Sequence, residues 1–112
     1  MVKIKIASDF SRTPGPRLIK EGSFSGELFR DNLLAPKIKE VISSESTLEV
    51  DLDGTAGYGT SFLEESFGGL VRVLGIPYEK IMKVLVLISN EEPSYIEEIM
   101  GYLKDAHEGE KS

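Results

Sequence analysis

The sequence predicts an α/β domain: a small mixed β-sheet with covering helices, in the order β-β-α-β-α-β-α. Three observations predict it. Val2-Lys3-Ile4-Lys5-Ile6 and Leu48-Glu49-Val50-Asp51-Leu52 alternate apolar with charged residues, the period of a half-exposed strand. Leu28, Leu34 or Ala35, Ile38, and Val41 or Ile42 fall near one helix face, and later Leu63, Phe67, Leu70 and Leu74 recur at the three-to-four-residue spacing of a buried stripe. The two patterns also take turns along the chain, which in one sheet calls for parallel βαβ units with right-handed crossovers. A length of 112 residues fits one domain, expected over 1–106, with 107–112 a polar C-terminal tail that frays.

Each element has its own signals. Residues 2–6 form the first strand. Ser11 to Pro16, with two prolines about Gly15, is a loop. Arg17–Lys20 is expected to return beside the first strand as a second. A helix follows over 23–42, and Pro36 inside it should cause a break or bend near Leu34–Pro36. A third strand over 48–53 runs into a glycine-rich loop. The next helix spans 62–74 and stops at Gly75 and Pro77. Gly68 and Gly69 in its middle each cost about 1 kcal/mol of helix propensity relative to Ala. Their presence points to close backbone packing against the sheet or a partner. The continuous run Val84 to Ile88 reads as a strand, 83–89, covered on both faces. The last helix spans 94–106, with Ser94 and Glu97 as a capping box.

Composition narrows the function classes. Thirteen basic and nineteen acidic residues give a net charge of −6. The first fifty residues are near neutral, and the acidic excess lies in the rest. Such a molecule repels phosphate at long range, so no nucleic-acid partner is expected. No cysteine is present, which excludes disulfides and thiolate metal sites. The longest apolar run is far short of a membrane span, and the N-terminus has no signal-peptide core. A cytoplasmic protein without membrane contact is expected. The single histidine, His107, lies in the tail, so no Ser-His-acid triad is visible and no enzyme is expected. No cofactor or metal is called for. Adjacent acidic pairs such as Glu64-Glu65 point about 100° apart on a helix and do not converge on one ion.

Chemistry concentrates in the strand–loop–helix segment 48–66. Carboxyl ends of strands and amino ends of helices meet there, where α/β folds hold their ligands. Gly54 and Gly59 mimic the spacing of a phosphate-binding loop, but Thr60 stands where that loop needs lysine, and Asp51 and Asp53 add negative charge. Nucleotide hydrolysis is thereby excluded, while weak anion capture by backbone N–H groups stays open. Ser61 and Glu64 match a capping box, so Ser61 is expected to cap the helix and Thr60 to lie exposed just outside it. A phosphate on Thr60 would meet the positive end of the helix dipole and add close to two negative charges to an acidic region. The plain alternative is a loop threonine with no role. Tyr58 and Tyr95 read equally well as contact residues or as half-buried packing.

At these residues the chain resembles the STAS domain, named for sulfate transporters and anti-sigma factor antagonists. Val50-Asp51-Leu52-Asp53-Gly54 is similar to the end of that domain's central strand. Gly59-Thr60-Ser61-Phe62-Leu63 occupies the place of its phosphorylation motif, with Gly59 for the usual Asp and Phe62 for the usual Gly. Closer still is the resemblance to an uncharacterised prokaryotic STAS-like family, carried by Phe24-Ser25-Gly26-Glu27-Leu28-Phe29-Arg30 and by Asp51-Leu52-Asp53-Gly54 with Gly59 to Glu65. It extends from about Ile4 to Ala106. The resemblance implies a regulatory protein-interaction module, with Thr60 as phosphoacceptor and Ser61 as its neighbour. It implies a loop of Asp53, Gly54, Gly57, Tyr58 and Gly59 that meets the partner, and an anti-sigma-factor-like or histidine-kinase-like ATPase as that partner. The alternative is a small-molecule sensor that holds a nucleotide or other anion on the Gly54–Ser61 loop, helped by Arg12 or Arg17. The oligomeric state is left open.

Overall fold

The computed structural model describes residues 2–111, with the backbone alone for Glu110 and Lys111. Its elements are β1 (Val2–Lys5), α1 (Ile6–Asp9), α2 (26–44), β2 (Leu48–Asp51), α3 (60–72), α4 (Tyr78–Val84), β3 (Leu85–Ile88) and α5 (Ser94–Lys111). Two of the helices are composite. In α2 a π-helical turn, Arg30–Leu34, joins α-helical Gly26–Phe29 to Ala35–Ser44, and in α3 a π-helical turn, Glu64–Gly68, joins Thr60–Leu63 to Gly69–Arg72.

The sheet has the order β1-β2-β3, with both pairs parallel. It is not mixed, because the expected second strand does not form. The backbone N–H groups of Leu18 and Ile19 donate to the carboxylates of Glu21 and Glu27. The carbonyls of Pro16 and Arg17 accept from Gly26 and Glu27 at the start of α2. Those groups are therefore unavailable to a ladder, and Ile19–Glu21 is a single 3₁₀ turn.

The register puts Val2, Leu48 and Leu85 abreast, and Ile4, Val50 and Leu87 abreast, on one face. The buried strand residues Ile4, Leu48, Val50 and Leu85 all belong to that face. Lys3, Glu49 and Val86 share the other, where Lys3 pairs with Glu49 and Lys5 with Asp51 across the β1–β2 ladder. Val86 is 40% exposed, so β3 is not covered on both faces. The misreading has a clear source. Residues 83 and 84 belong to α4, a seven-residue helix whose inward Ile81 and Val84 run straight into the apolar strand.

Pro36 does not interrupt α2. The π-helical turn lies directly before it, and Ala35 N–H reaches back to the Arg30 carbonyl. The helix thus takes up the missing proline donor as an inserted residue rather than a break. Ser25 caps α2 by accepting from Leu28 N–H at 3.0 Å. Gly75, at φ +68°, ends the chain's run out of α3. The final helix continues to Lys111 rather than fraying after Ala106. His107 stacks on Tyr78, with ring centroids 4.6 Å apart. Ser112, the end of the expected tail, lies outside the described residues, as does Met1. No helix among the described residues is long and apolar enough to cross a membrane.

Candidate functional site

The loop that leaves β2 is built from its own polar groups. Asp53 bridges to the turn after β3: its carboxylate accepts from the backbone N–H groups of Asn90 and Glu91, each at 2.9 Å, and from the Asn90 side-chain amide at 3.1 Å. The Glu91 N–H, helped by Asn90 and by the charge of Lys5, holds the Asp53 carboxyl below its ordinary value, against the opposing effect of desolvation. Glu91 returns the contact, its carboxylate accepting from Gly54 N–H at 2.7 Å. Gly54 and Gly57 turn the chain at φ +93° and +130°, a region that side chains disfavour.

Four further amides of the loop are occupied in the same way. Asp53 N–H donates to Asp51, Ala56 N–H to the Arg12 carbonyl, Gly57 N–H to the Thr55 hydroxyl and Tyr58 N–H to the Tyr95 hydroxyl. Tyr58 donates its own hydroxyl inward to the Leu52 carbonyl at 2.8 Å, and burial pushes its phenol well above the ordinary value. Its ring packs edge-on to Tyr95 and tilted against Phe62. Tyr58 is therefore half-buried packing that fixes the loop. Beside it lies a recess of about 130 Å³ whose lining includes Asp53, Glu91, Glu92 and Tyr95. Three carboxylates in so small a space repel a phosphate.

The loop then hands over to α3. Gly59 is the N-cap residue, with φ −75° and ψ 153° and no side chain to cap with. Ser61 consequently does not cap the helix, and Thr60 is its first residue rather than its outside neighbour. The first helical bond runs from Leu63 N–H to the Gly59 carbonyl, so the N–H groups of Thr60, Ser61 and Phe62 have no intrahelical acceptor. Gly59, Thr60 and Ser61 are all exposed. Phe62, fully buried, anchors this turn against Phe29, Phe10 and Tyr58 with centroids 5.9, 6.2 and 5.7 Å away. The predicted residues Asp53, Gly54, Gly57, Tyr58, Gly59, Thr60 and Ser61 thus come together at the carboxyl end of the sheet. Arg12 joins them through its backbone.

Arg17 does not join them. It belongs to a charged cluster one turn further along α3, which sequence reasoning did not single out. Arg30 and Glu65 are 3% and 5% exposed and pair through Nη1 and Oε2 at 2.5 Å. Arg30 also donates to the Glu65 carbonyl at 3.2 Å and through Nε to Asp31 at 2.9 Å. Arg17 and Arg72 each bridge Glu64 and Glu65. Burial pushes the Glu65 carboxyl up, but Arg30, Arg17 and Arg72 together hold it below its ordinary value. The cluster sits where the two π-helical turns approach each other. A Cβ on Gly69 would lie 2.6 Å from Arg30 Nη1, and one on Gly26 would lie 2.6 Å from the Phe62 carbonyl oxygen. Gly69 therefore makes room for a guanidinium, while a Cβ on Gly68 would lie 2.7 Å from Glu64 Oε2 and 3.4 Å from the Tyr102 carbonyl oxygen; no strand atom is among these neighbours. A signal was present in the sequence: Arg30 lies four residues before Leu34 and Glu65 three after Phe62, both on inward faces.

Among the described residues no group of three or more His, Cys, Asp or Glu could hold a metal ion. No curated protein and no solved structure matches the chain. A family model described as a STAS-like domain of unknown function (DUF4325) matches residues 25–95, from the Ser25 cap of α2 to the Tyr95 that clamps the loop, well over half of the chain. The chain belongs to this family of STAS-like domains.

Proposed function

We propose that the protein is a cytoplasmic regulatory module that acts by binding another protein, not by catalysis. Its docking surface is the Asp53–Gly59 loop with the first turn of α3. Thr60 is the switch, with Ser61 as the secondary acceptor. By analogy with STAS domains the partner is an anti-sigma-factor-like or histidine-kinase-like ATPase.

One observation carries this reading. Two exposed hydroxyls open a helix whose cap is a bare glycine, on a loop that its own hydrogen bonds hold in place. A phosphate on Thr60 meets unsatisfied N–H groups and the positive helix end. The nearest carboxylate further along the helix, Glu64, is bridged by Arg17 and Arg72. The added charge changes the surface a partner meets without breaking any contact that holds the loop. The sensor reading on the Gly54–Ser61 loop finds less support, because four of that loop's amides, at 54 and 56–58, already have acceptors.

Capture from the native host with wild-type, Thr60→Ala and Thr60→Glu baits, read by mass spectrometry, tests the proposal. An ATPase retained by wild type and Thr60→Ala but lost with Thr60→Glu is the expected result. Equal capture by all three overturns the switch.

A further inference from the structure

The opposite end of the molecule presents a different surface. Where the carboxyl end of α2 passes α4, two open hollows of about 510 and 540 Å³ meet, sharing Ile42 and Lys80. Their floor is apolar, with Ile42, Ile76 and Val84, and Leu74 stands 38% exposed at one side. Lys39, Lys80 and Lys83 line the groove, and Glu45 is the one carboxylate in its lining. The ammonium groups of these three lysines have no ion-pair or hydrogen-bond partner among the described residues. Lys3, Lys5, Arg17, Arg30, Arg72 and Lys104 have carboxylate partners, while Arg12, Lys20 and Lys37, also without side-chain partners among the described residues, do not line the groove.

We infer that this groove docks an acidic segment of a protein partner, one whose carboxylates meet Lys39, Lys80 and Lys83 and whose apolar side chains cover Ile42 and Leu74. Charge complementarity selects the occupant. In a molecule of net charge −6, three uncompensated lysines around an apolar floor attract a chain that is both acidic and apolar. Two adjoining hollows of this size suit a peptide segment better than a compact ion. A nucleic acid would meet only three cations on an otherwise acidic body. This surface lies away from Thr60 and is independent of the switch.

The test is titration of the isotope-labelled full chain, followed by amide NMR, with a synthetic peptide of repeated Glu-Glu-Leu. The same peptide with Lys in place of Glu and inorganic phosphate serve as comparisons. The acidic peptide should move the signals of Ile42, Lys80 and Lys83, and its affinity should fall as salt rises. The double variant Lys80→Glu/Lys83→Glu should weaken it about tenfold or more, with Lys39→Glu showing a smaller loss. Both variants should keep the dispersed spectrum of the folded chain. Thr60→Glu should leave the titration unchanged, so failure here and failure of the switch are separable. No movement of groove signals overturns the inference. So does equal binding of the basic peptide, or phosphate producing the same shifts, which would mark an ion site.

Discussion

The first and second turns of α3 are opposites. The first presents two exposed hydroxyls and free N–H groups behind a glycine cap. The second buries a carboxylate against a guanidinium and closes the space around it with glycine. The difference separates two tasks. A surface that must accept or lose a charge is poorly suited to hold helices together, and a buried charge that holds two helices in register cannot be removed alone without a large loss of stability. Under the proposed switch the two tasks lie on adjacent turns, with Phe62 packed between them against Phe29.

This contrast can be broken most sharply at Glu65. Glu65→Ala leaves Nη1 of the buried Arg30 without its carboxylate, with Asp31 still on Nε, and should cost about 3–5 kcal/mol in urea unfolding. Replacing both partners, Arg30→Met with Glu65→Leu, should recover most of that loss, since breaking a buried pair costs far more than removing it whole. Gly69→Ala comes next. Its Cβ collides with the locked Arg30, and overpacking of this kind costs about 1–3 kcal/mol, readable as a fall in Tm.

Acid sharpens the comparison. Glu65 titrates below its ordinary value in the folded chain, so the unfolded chain binds the proton more readily. The stability it contributes is full above the ordinary glutamate value of 4.5, declines as pH falls through it, and is gone below the folded value. Glu65→Gln should flatten that limb of the stability curve measured by denaturant titration. At the loop, Asp53→Asn should speed hydrogen exchange of the Asn90 and Glu91 amides while Tm moves little. The smallest effect belongs to Thr60→Glu, expected to change stability by no more than about 0.5 kcal/mol. A large Tm change there would show that the first turn is structural after all.

Much of this organisation was legible in the residues. The alternation of Leu48, Val50 and Leu52 and the glycines after Asp53 identified the strand and the loop, because period and backbone freedom are local properties. The exposed Thr60 was legible for the same reason. The cap was not. Ser61 and Glu64 satisfy the spacing of a capping box, yet the chain enters the helix two residues earlier because Phe62 is drawn into the aromatic cluster of Phe10, Phe29 and Tyr58. The strand expected at Arg17–Lys20 failed for a related reason. Its fate depends on carboxylates at Glu21 and Glu27 and, for Arg17, on Glu64 and Glu65. The last two lie far away in sequence, and local pattern cannot report them. The short α4 was hidden because Val84 closes a helix and abuts the strand Leu85–Ile88 without a polar break.

The all-parallel sheet also dictates when these surfaces exist. Val2 pairs with Leu48 and Leu48 with Leu85, so no two strands can meet as a hairpin, and each pairing must close a long loop first. During synthesis the central strand has only one neighbour until Leu85–Ile88 has left the ribosome. The bonds from Asn90 and Glu91 that fix Asp53 come later still. A nascent or truncated chain ending before residue 88 would carry Thr60 in its sequence but not in its place. The Thr60 hydroxyl takes up its position at the end of the sheet only when the domain is complete.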